Sequence, residues 1–291
     1  MIISHFISTM VNIYLKEINL NLENYFIAQF NNKKIGDDGA FIDGVVYSKD
    51  AFFENVHFKT KWMNHYEIAK KAMLSNISDA IAMNAKPIYA LLSVAMPKTI
   101  TKQEMFLLAN GFKDIAKKYD ISIIGGDTIC NTKLDITITI ISKTSNPLYR
   151  KGVRVNDLFA YTGKLGQSKK DLMSLCNGAK LHKKSKFIDI KLRDKFVSNT
   201  IRFLNSGMDI SDGLFSDLDK LLSINKIGID FFEYIPKKIG CSGEEYEMLI
   251  SFDKRDRKTL IRRAKQSRTD LTIFGSVKRN KYINRCKAHH F

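Results

Sequence analysis

Residues Gly36 to Asp50 place two adjacent carboxylates, Asp37 and Asp38, on a glycine-flanked turn and deliver a third, Asp50, at the end of a short apolar stretch. Like charges gathered this closely repel one another unless a cation sits among them. The chain repeats the device. Asp79 follows Asn76-Ile77-Ser78, Asp127 follows Gly125-Gly126, and Asp209 and Asp212 enclose Ile210-Ser211 just ahead of Gly213. Hard divalent cations take oxygen ligands, and magnesium is commonly shared between carboxylates and the phosphates of a substrate. The pattern therefore points to metal-dependent phosphate chemistry. A Walker-type loop, Gly-x-x-x-x-Gly-Lys-Ser/Thr, is absent, and so is Gly-x-Gly-x-x-Gly. Nucleotide phosphates would have to be held through cations and scattered donors instead.

The elements that must carry these acids alternate between helix and strand. A leading helix is expected over residues 13–31, and Val45 to Phe53 reads as a strand from its β-branched content. Asn64 caps a helix whose apolar positions Ile68, Ala72, Ile77 and Ile81 recur at three- and four-residue steps, ending near Asn84 before Pro87. Asn76 and Asp79 are three apart on it and share a face, which suits two ligands aimed at one site. Ile88 to Ala95 is a strand stopped by Pro97. Thr101 and Glu104 form a capping-box pattern for a helix reaching about Tyr119. A strand at Ile121 to Ile124 empties into Gly125-Gly126-Asp127, and Leu134 to Ile141 alternates as a two-faced strand. The second half predicts strands at Asp157 to Thr162, Met208 to Ile210, Ile229 to Ile235, Tyr246 to Phe252 and Leu271 to Phe274. Its helices fall near 168–177, 191–205, Leu214 to Leu222 and Lys254 to Gln266.

At 291 residues and 44% hydrophobic, the chain can bury one large core or two ordinary ones. Two are expected, residues 1–145 and 146–291, divided at the polar, proline-bearing stretch Lys143 to Pro147. The charge shifts there as well. Residues 1–145 carry 16 Lys and no Arg against 14 acids, whereas residues 146–291 carry 31 Lys plus Arg against 16. A net charge of +17 could funnel anionic ligands, from nucleotides to nucleic acid. The basic stretches Lys180 to Lys195 and Lys254 to Lys287 are not interleaved with stacking aromatics, so a nucleic-acid partner is not expected. Cys130, Cys176, Cys241 and Cys286 are far apart with no Cys-x-x-Cys pair, suggesting neither a zinc site nor a disulfide framework and fitting a reducing cytoplasm. No stretch predicts a secretory leader or a membrane span.

The motifs resemble a family. Gly36-Asp37-Asp38-Gly39-Ala40, Ser48-Lys49-Asp50, Asn55-Val56-His57-Phe58, Asn76-Ile77-Ser78-Asp79-Ala80-Ile81-Ala82-Met83, Gly125-Gly126-Asp127-Thr128, Asp209-Ile210-Ser211-Asp212-Gly213-Leu214 and Gly243-Glu244-Glu245-Tyr246-Glu247 follow the order seen in thiamine-monophosphate kinases, across roughly residues 20–252. The resemblance implies an α+β, PurM-like fold of two domains, with the N-terminal sheet pairing across a homodimer into a β-barrel. It implies transfer of the γ-phosphoryl group of ATP to thiamine monophosphate with several Mg2+ ions. By the same resemblance, Asp38, Ser48, Asp50, Asp79, Asp127, Asp209 and Asp212 would be magnesium ligands, directly or through water. Gly126, Asp127, Arg150 and Ser211 would meet ATP, and His57 and Glu244 the thiamine substrate. No general base is implied.

Other readings have distinguishing marks. A selenophosphate synthetase of the same superfamily would want a reactive cysteine near the N-terminal glycine-rich segment, and a hydrogenase-maturation dehydratase a C-terminal cysteine; neither occurs. A basic nucleic-acid-binding protein that kept the fold is the reading from another class. Each acid also has a plainer use. Asp209, Ser211 or Asp212 could cap the following helix, Asp79 could be solvated, and Glu244 in its acidic run could be solvated too. Tyr246, Met248 and Ile250 read as core. Lys49 stands where the family has threonine, and could replace one ion or turn to solvent. The stretch from Ile235 to Gly243 is short for the family, and Phe291 is the one candidate near the C-terminus for stacking on thiamine.

Overall fold

The computed structural model describes residues 22–286. The described residues fall into two units, 22–33 and 34–286. In the first, helix α1 (Leu22–Ala28) is described. The remainder of the expected leading helix, residues 13–21, and Phe291 lie outside the described residues.

Two five-stranded sheets build the second unit. The first comprises β1 (Ala40–Ile42), β2 (Val45–Phe53), β3 (Lys86–Pro97), β4 (Ser122–Asn131) and β5 (Asp135–Lys143), in the order β1-β2-β5-β3-β4. Its neighbours are antiparallel except β3 and β4. Parallel strands need a long crossover, here a helix. Helices α2 (His65–Ala82) and α3 (Lys102–Tyr119) both start with reciprocal capping boxes: Thr101 with Glu104 as expected, and Asn64, the expected cap, with Glu67 as its partner. Their apolar faces share a core with Phe52, Ala90, Val94, Ile136 and Ile138.

The fourth strand departs most from expectation. β4 does not stop at Ile124 but runs through Gly125, Gly126 and Asp127 to Asn131. Gly126 has φ +145°, and a Cβ there would lie 1.6 Å from the Leu92 carbonyl oxygen of β3. The glycine lets two backbones pack closely rather than opening a turn.

The second sheet has the order β7-β9-β6-β10-β8, all antiparallel, from β6 (Leu158–Thr162), β7 (Leu204–Asp209), β8 (Gly228–Phe231), β9 (Met248–Phe252) and β10 (Leu271–Lys278). Between them lie α4 (Gln167–Cys176), α5 (Asp194–Thr200), α6 (Leu214–Asn225), α7 (Lys237–Gly240) and α8 (Arg257–Gln266). The helix expected over 191–205 is shorter because β7 claims the chain from Leu204. β9 starts at Met248 rather than Tyr246, whose φ of +50° is incompatible with a strand.

The cysteine expectation needs correction. Cys241 and Cys286 form a disulfide, while Cys130 and Cys176 are free and exposed. Packing, not spacing, brings the pair together, since Tyr282 Oη donates to the Phe215 carbonyl and a Cβ on Gly240 would press on the Phe215 ring. No described helix is long and apolar enough to cross a membrane.

Candidate active site

The site is laid out along one face of α2. Asp79, near its C-terminal end, brings a carboxylate oxygen to within 4.8 Å of oxygens from Asp38 and Asp209. Asp38 comes from the turn before β1 and is gripped by Arg150 Nη2 at 2.5 Å, while the Arg150 N–H donates to Asp37 at 2.7 Å. Asp209 ends β7 and accepts from Ser78 Oγ of α2 at 2.6 Å. Asp50 is carried on β2, and its N–H donates to Asn76 Oδ1 at 2.9 Å. Asn76 thus fixes the backbone of an acid instead of acting as a second ligand. Ser48, two residues earlier and so on the same strand face, is buried with a hydroxyl that has no hydrogen-bond partner among the described residues.

The electrostatics are unbalanced. Burial first, then Asp38 and Asp212, pushes the Asp50 carboxyl up to about 6. Asp79 is raised well above the ordinary range by burial and then by Asp50, Asp209 and Asp38; Asp209 is raised by burial and then by Asp38. Burial works against the charge of Arg150, but Asp38, Asp209 and Asp217 outweigh it and hold the guanidinium protonated. Lys220 Nζ lies 2.5 Å from Asp212 and 3.1 Å from Asp217. Among the described residues, Asp38, Asp50, Asp79, Asp209, Asp212 and Asp217 gather around the side-chain cations Arg150 and Lys220. An all-oxygen donor set with excess negative charge and an unpartnered buried hydroxyl fits a hard divalent cation such as Mg2+.

The loop after β7 is not a helix cap. Gly213 occupies the cap position of α6 without a side-chain bond, and Asp217 in the first turn accepts the Asp212 N–H at 3.0 Å. Burial drives Asp217 up to about 7. The loop is instead laced to residues 243–247, with the Glu244 N–H donating to Ser211 O and the Tyr246 N–H to Ile210 O. Two of the three acids of that segment are withdrawn from solvent, and the third, Glu244, is partly exposed. Glu245 and Glu247 are buried and paired with Lys186, Glu247 also with Arg193, and Glu244 meets Lys71. His57 stacks on Phe52, and its Nδ1 accepts the Phe53 N–H at 3.0 Å. Since Lys71 also overlies Phe52, His57 and Glu244 flank one cluster.

Two expected residues stand apart from the acids within one chain. Register pairs Asp127 with Ser93, Ser93 with Thr137 and Thr137 with Ala51, whereas Gly126 aligns through Leu92 and Ile138 with Asp50. The Asp127 side chain therefore leaves the sheet on the face opposite Asp50, three strands away, and is exposed. Lys49 is on that same opposite face, donating to Thr137 and Thr139 Oγ1, so it does not replace an ion at the cluster. Sequence reasoning missed Lys71, Asp217, Lys220 and the hydroxyl of Tyr246, whose pKa burial and then Glu244, Asp50, Asp209 and Asp79 raise. Tyr246, Met248 and Ile250 are buried, as expected.

Comparison with known proteins gives three consistent likenesses. The AIR synthase related protein N-terminal domain family matches residues 36–144. The thiamine-monophosphate kinase of Buchnera aphidicola subsp. Schizaphis graminum (strain Sg) is 30% identical over 282 residues, 84% of either chain. Among solved structures, AaThiL complexed with AMPPCP and TMP superposes with a TM-score of 0.79 at 22% identity, over 89% of this chain and 90% of that one. The thiamine monophosphate kinase of Aquifex aeolicus gives 0.79 at 22% over 92% and 96%.

Proposed function

The chain belongs to the thiamine-monophosphate kinase family, and we propose that it transfers the γ-phosphoryl group of ATP directly and in line to thiamine monophosphate, yielding ADP and thiamine diphosphate. The observation that carries this reading is the convergence of Asp38, Asp79 and Asp209, drawn from three distant stretches of sequence, beside Arg150. A phosphate monoester acceptor has a second pKa of about 6 and is largely ionised near neutrality. It therefore needs no strong base. What the reaction needs is charge neutralisation and alignment of two polyanions.

Asp38, Ser48, Asp50, Asp79, Asp127, Asp209 and Asp212 would hold Mg2+, directly or through water, and the bound ions supply charge neutralisation at phosphate oxygens. Arg150 is forked, and its Nε has no acceptor among the described residues, so it suits a phosphate oxygen in a way lysine cannot copy. With Gly126, Asp127 and Ser211 it would meet ATP; His57 and Glu244 would meet the thiamine moiety. We read residues 1–145 as the dimer-forming, nucleotide-binding domain and 146–291 as the second domain, a division supported by one sheet falling on each side of it. The cytoplasm is our assignment for the reaction, supported by the exposed thiols of Cys130 and Cys176, with the Cys241–Cys286 bridge standing against it.

The test is direct. Purified protein given ATP, Mg2+ and thiamine monophosphate is expected to form thiamine diphosphate and ADP in equal amounts. Absence of thiamine diphosphate, together with salt-sensitive binding to mixed-sequence DNA, would favour the nucleic-acid reading.

A homodimer is supported by two open sheet edges. β1 pairs only with Val45–Tyr47, leaving the outer edge of β2 from Ser48 to Phe53 without a strand among the described residues, and β4 exposes Ile124 and Ile129 along the other edge. Unpaired edges of this kind invite a second copy. Closing both would form the barrel and bring Gly126 and Asp127 of one copy toward the β2 acids of the other. Ile129→Lys is expected to convert a dimer to a monomer in sedimentation and to lower turnover at least tenfold. An unchanged sedimentation profile would remove β4 from the interface.

A further inference from the structure

Lys71 is fully buried, a rare state for a lysine. Its ammonium lies 3.1 Å from Glu244 Oε2 and 3.2 Å from the centre of the Phe187 ring, with the Phe52 ring 5.9 Å away. Burial lowers its pKa and Glu244 pulls against that change. Among the described residues, Glu244 is the carboxylate partner of Lys71, and Lys71 donates to Glu244 Oε2.

Two further observations show that this contact is directional. Glu244 holds φ +55° and Tyr246 φ +50°, a backbone that non-glycine residues adopt only where the surroundings impose it. The Glu244 side chain remains 25% exposed although its Oε2 partner is 1% exposed. The lysine thus holds one oxygen inward, and the carboxylate still opens to solvent on its other side. Lys71 also sits eight residues before Asp79 on α2, a separation of about 12 Å along the axis. That span exceeds a phosphate and matches the scale of a phosphorylated two-ring molecule whose phosphate end lies at the acids.

We infer that Lys71 is a positioning residue that holds Glu244 through Oε2 so that Oε1 receives the cationic, amine-bearing end of thiamine monophosphate. The inference rests on the kinase reading and on Glu244 as a substrate contact. Phe187 and Phe52 enclose the ammonium and keep it from being hydrated, so it has no competing partner for Glu244. The lysine never touches substrate. Its effect is to fix the orientation and charge of the carboxylate that does.

The test compares Lys71→Met, Glu244→Gln and the double variant. Lys71→Met removes the ammonium while filling much the same volume. It is expected to raise KM for thiamine monophosphate at least about tenfold, as loss of one partner from a buried charge pair does, with KM for ATP within about twofold. Glu244→Gln is expected to act in the same direction. The double variant should be no worse than the more affected single one, because the two residues work as a unit. If Lys71→Met folds poorly, Lys71→Arg carries the test, since it keeps a cation beside Glu244 while changing the geometry of the contact. It should raise KM for thiamine monophosphate with KM for ATP within about twofold, and a normal KM for thiamine monophosphate in a folded Lys71→Arg overturns the positioning role. A normal KM for thiamine monophosphate in Lys71→Met, with a raised one in Glu244→Gln, overturns the positioning role and leaves the Glu244 contact standing. A normal KM in Glu244→Gln overturns that contact and this inference with it.

Discussion

Asp79→Asn is expected to lose turnover about 10³-fold or more and, measured without added Mg2+, to melt at a higher temperature than the parent protein. Both outcomes have one cause. Asp79 is half-buried, and its charge is opposed by burial and then by Asp50, Asp209 and Asp38, with Arg150 offsetting only part. Asparagine keeps the shape and removes the repulsion, which stabilises the protein when no cation is present. The same change takes one of three converging oxygens from the phosphate site. Loss of charge stabilisation in a transition state of this kind costs several kcal/mol, which is the thousandfold just given. Added Mg2+ should then raise the melting temperature of the variant much less than that of the parent. Parental turnover in Asp79→Asn, or an undiminished response to Mg2+, would remove Asp79 from the site.

How much of this was legible in the sequence depends on what made each residue conspicuous. Asp38, Asp79 and Asp209 follow small or polar residues at strand and helix ends, and charge repulsion made them suspect before any fold was known. The competing explanation for the Asp209–Asp212 loop, helix capping, was equally consistent with the sequence. It fails because Gly213 takes the cap position and Asp217 takes the Asp212 N–H. Lys49 was ambiguous until strand register placed it on the opposite face from Asp50.

Other residues gave no signal. Lys71 is one of two adjacent lysines on a helix and reads as solvated; its burial comes from Phe187, 116 positions later, in a lysine-rich stretch that itself reads as surface. Asp217 looks like the polar side of an amphipathic helix. The pairing of Cys241 with Cys286 cannot be deduced from spacing. At β4, glycine's usual role as a strand terminator competed with its other role, allowing close backbone approach, and the contact with Leu92 decides for the latter. Local pattern identified the chemistry, while the residues that hold it in place were set by long-range packing.

The acid cluster should also reverse the pH dependence expected of carboxylates. Asp50 is raised from an ordinary 3.8 to about 6 and Asp217 to about 7, and Asp79 and Asp209 are raised as well, burial being the first cause in each. A group whose pKa is higher folded than unfolded binds protons more tightly in the native state, so stability falls as pH rises between the two values. The window runs from about pH 4, where the unfolded chain titrates, to about pH 7. The lowered carboxylates Asp253 and Glu104 act in the opposite sense, but below that window. Without added Mg2+, the protein is therefore expected to melt at a higher temperature at pH 5 than at pH 7.5. Between pH 5 and 7.5 a single carboxylate shifted as far as Asp50 contributes about 1.4 kcal/mol, or about 3–6 °C for a chain of this size. Cations replace the lost protons, so millimolar Mg2+ should restore most of the difference at pH 7.5 and change little at pH 5. Thermal melts at the two pH values, with and without Mg2+, measure both effects. A melting temperature that climbs from pH 5 to 7.5 without the ion, or equal stabilisation by Mg2+ at both, would mean that these acids do not share one cation-binding space.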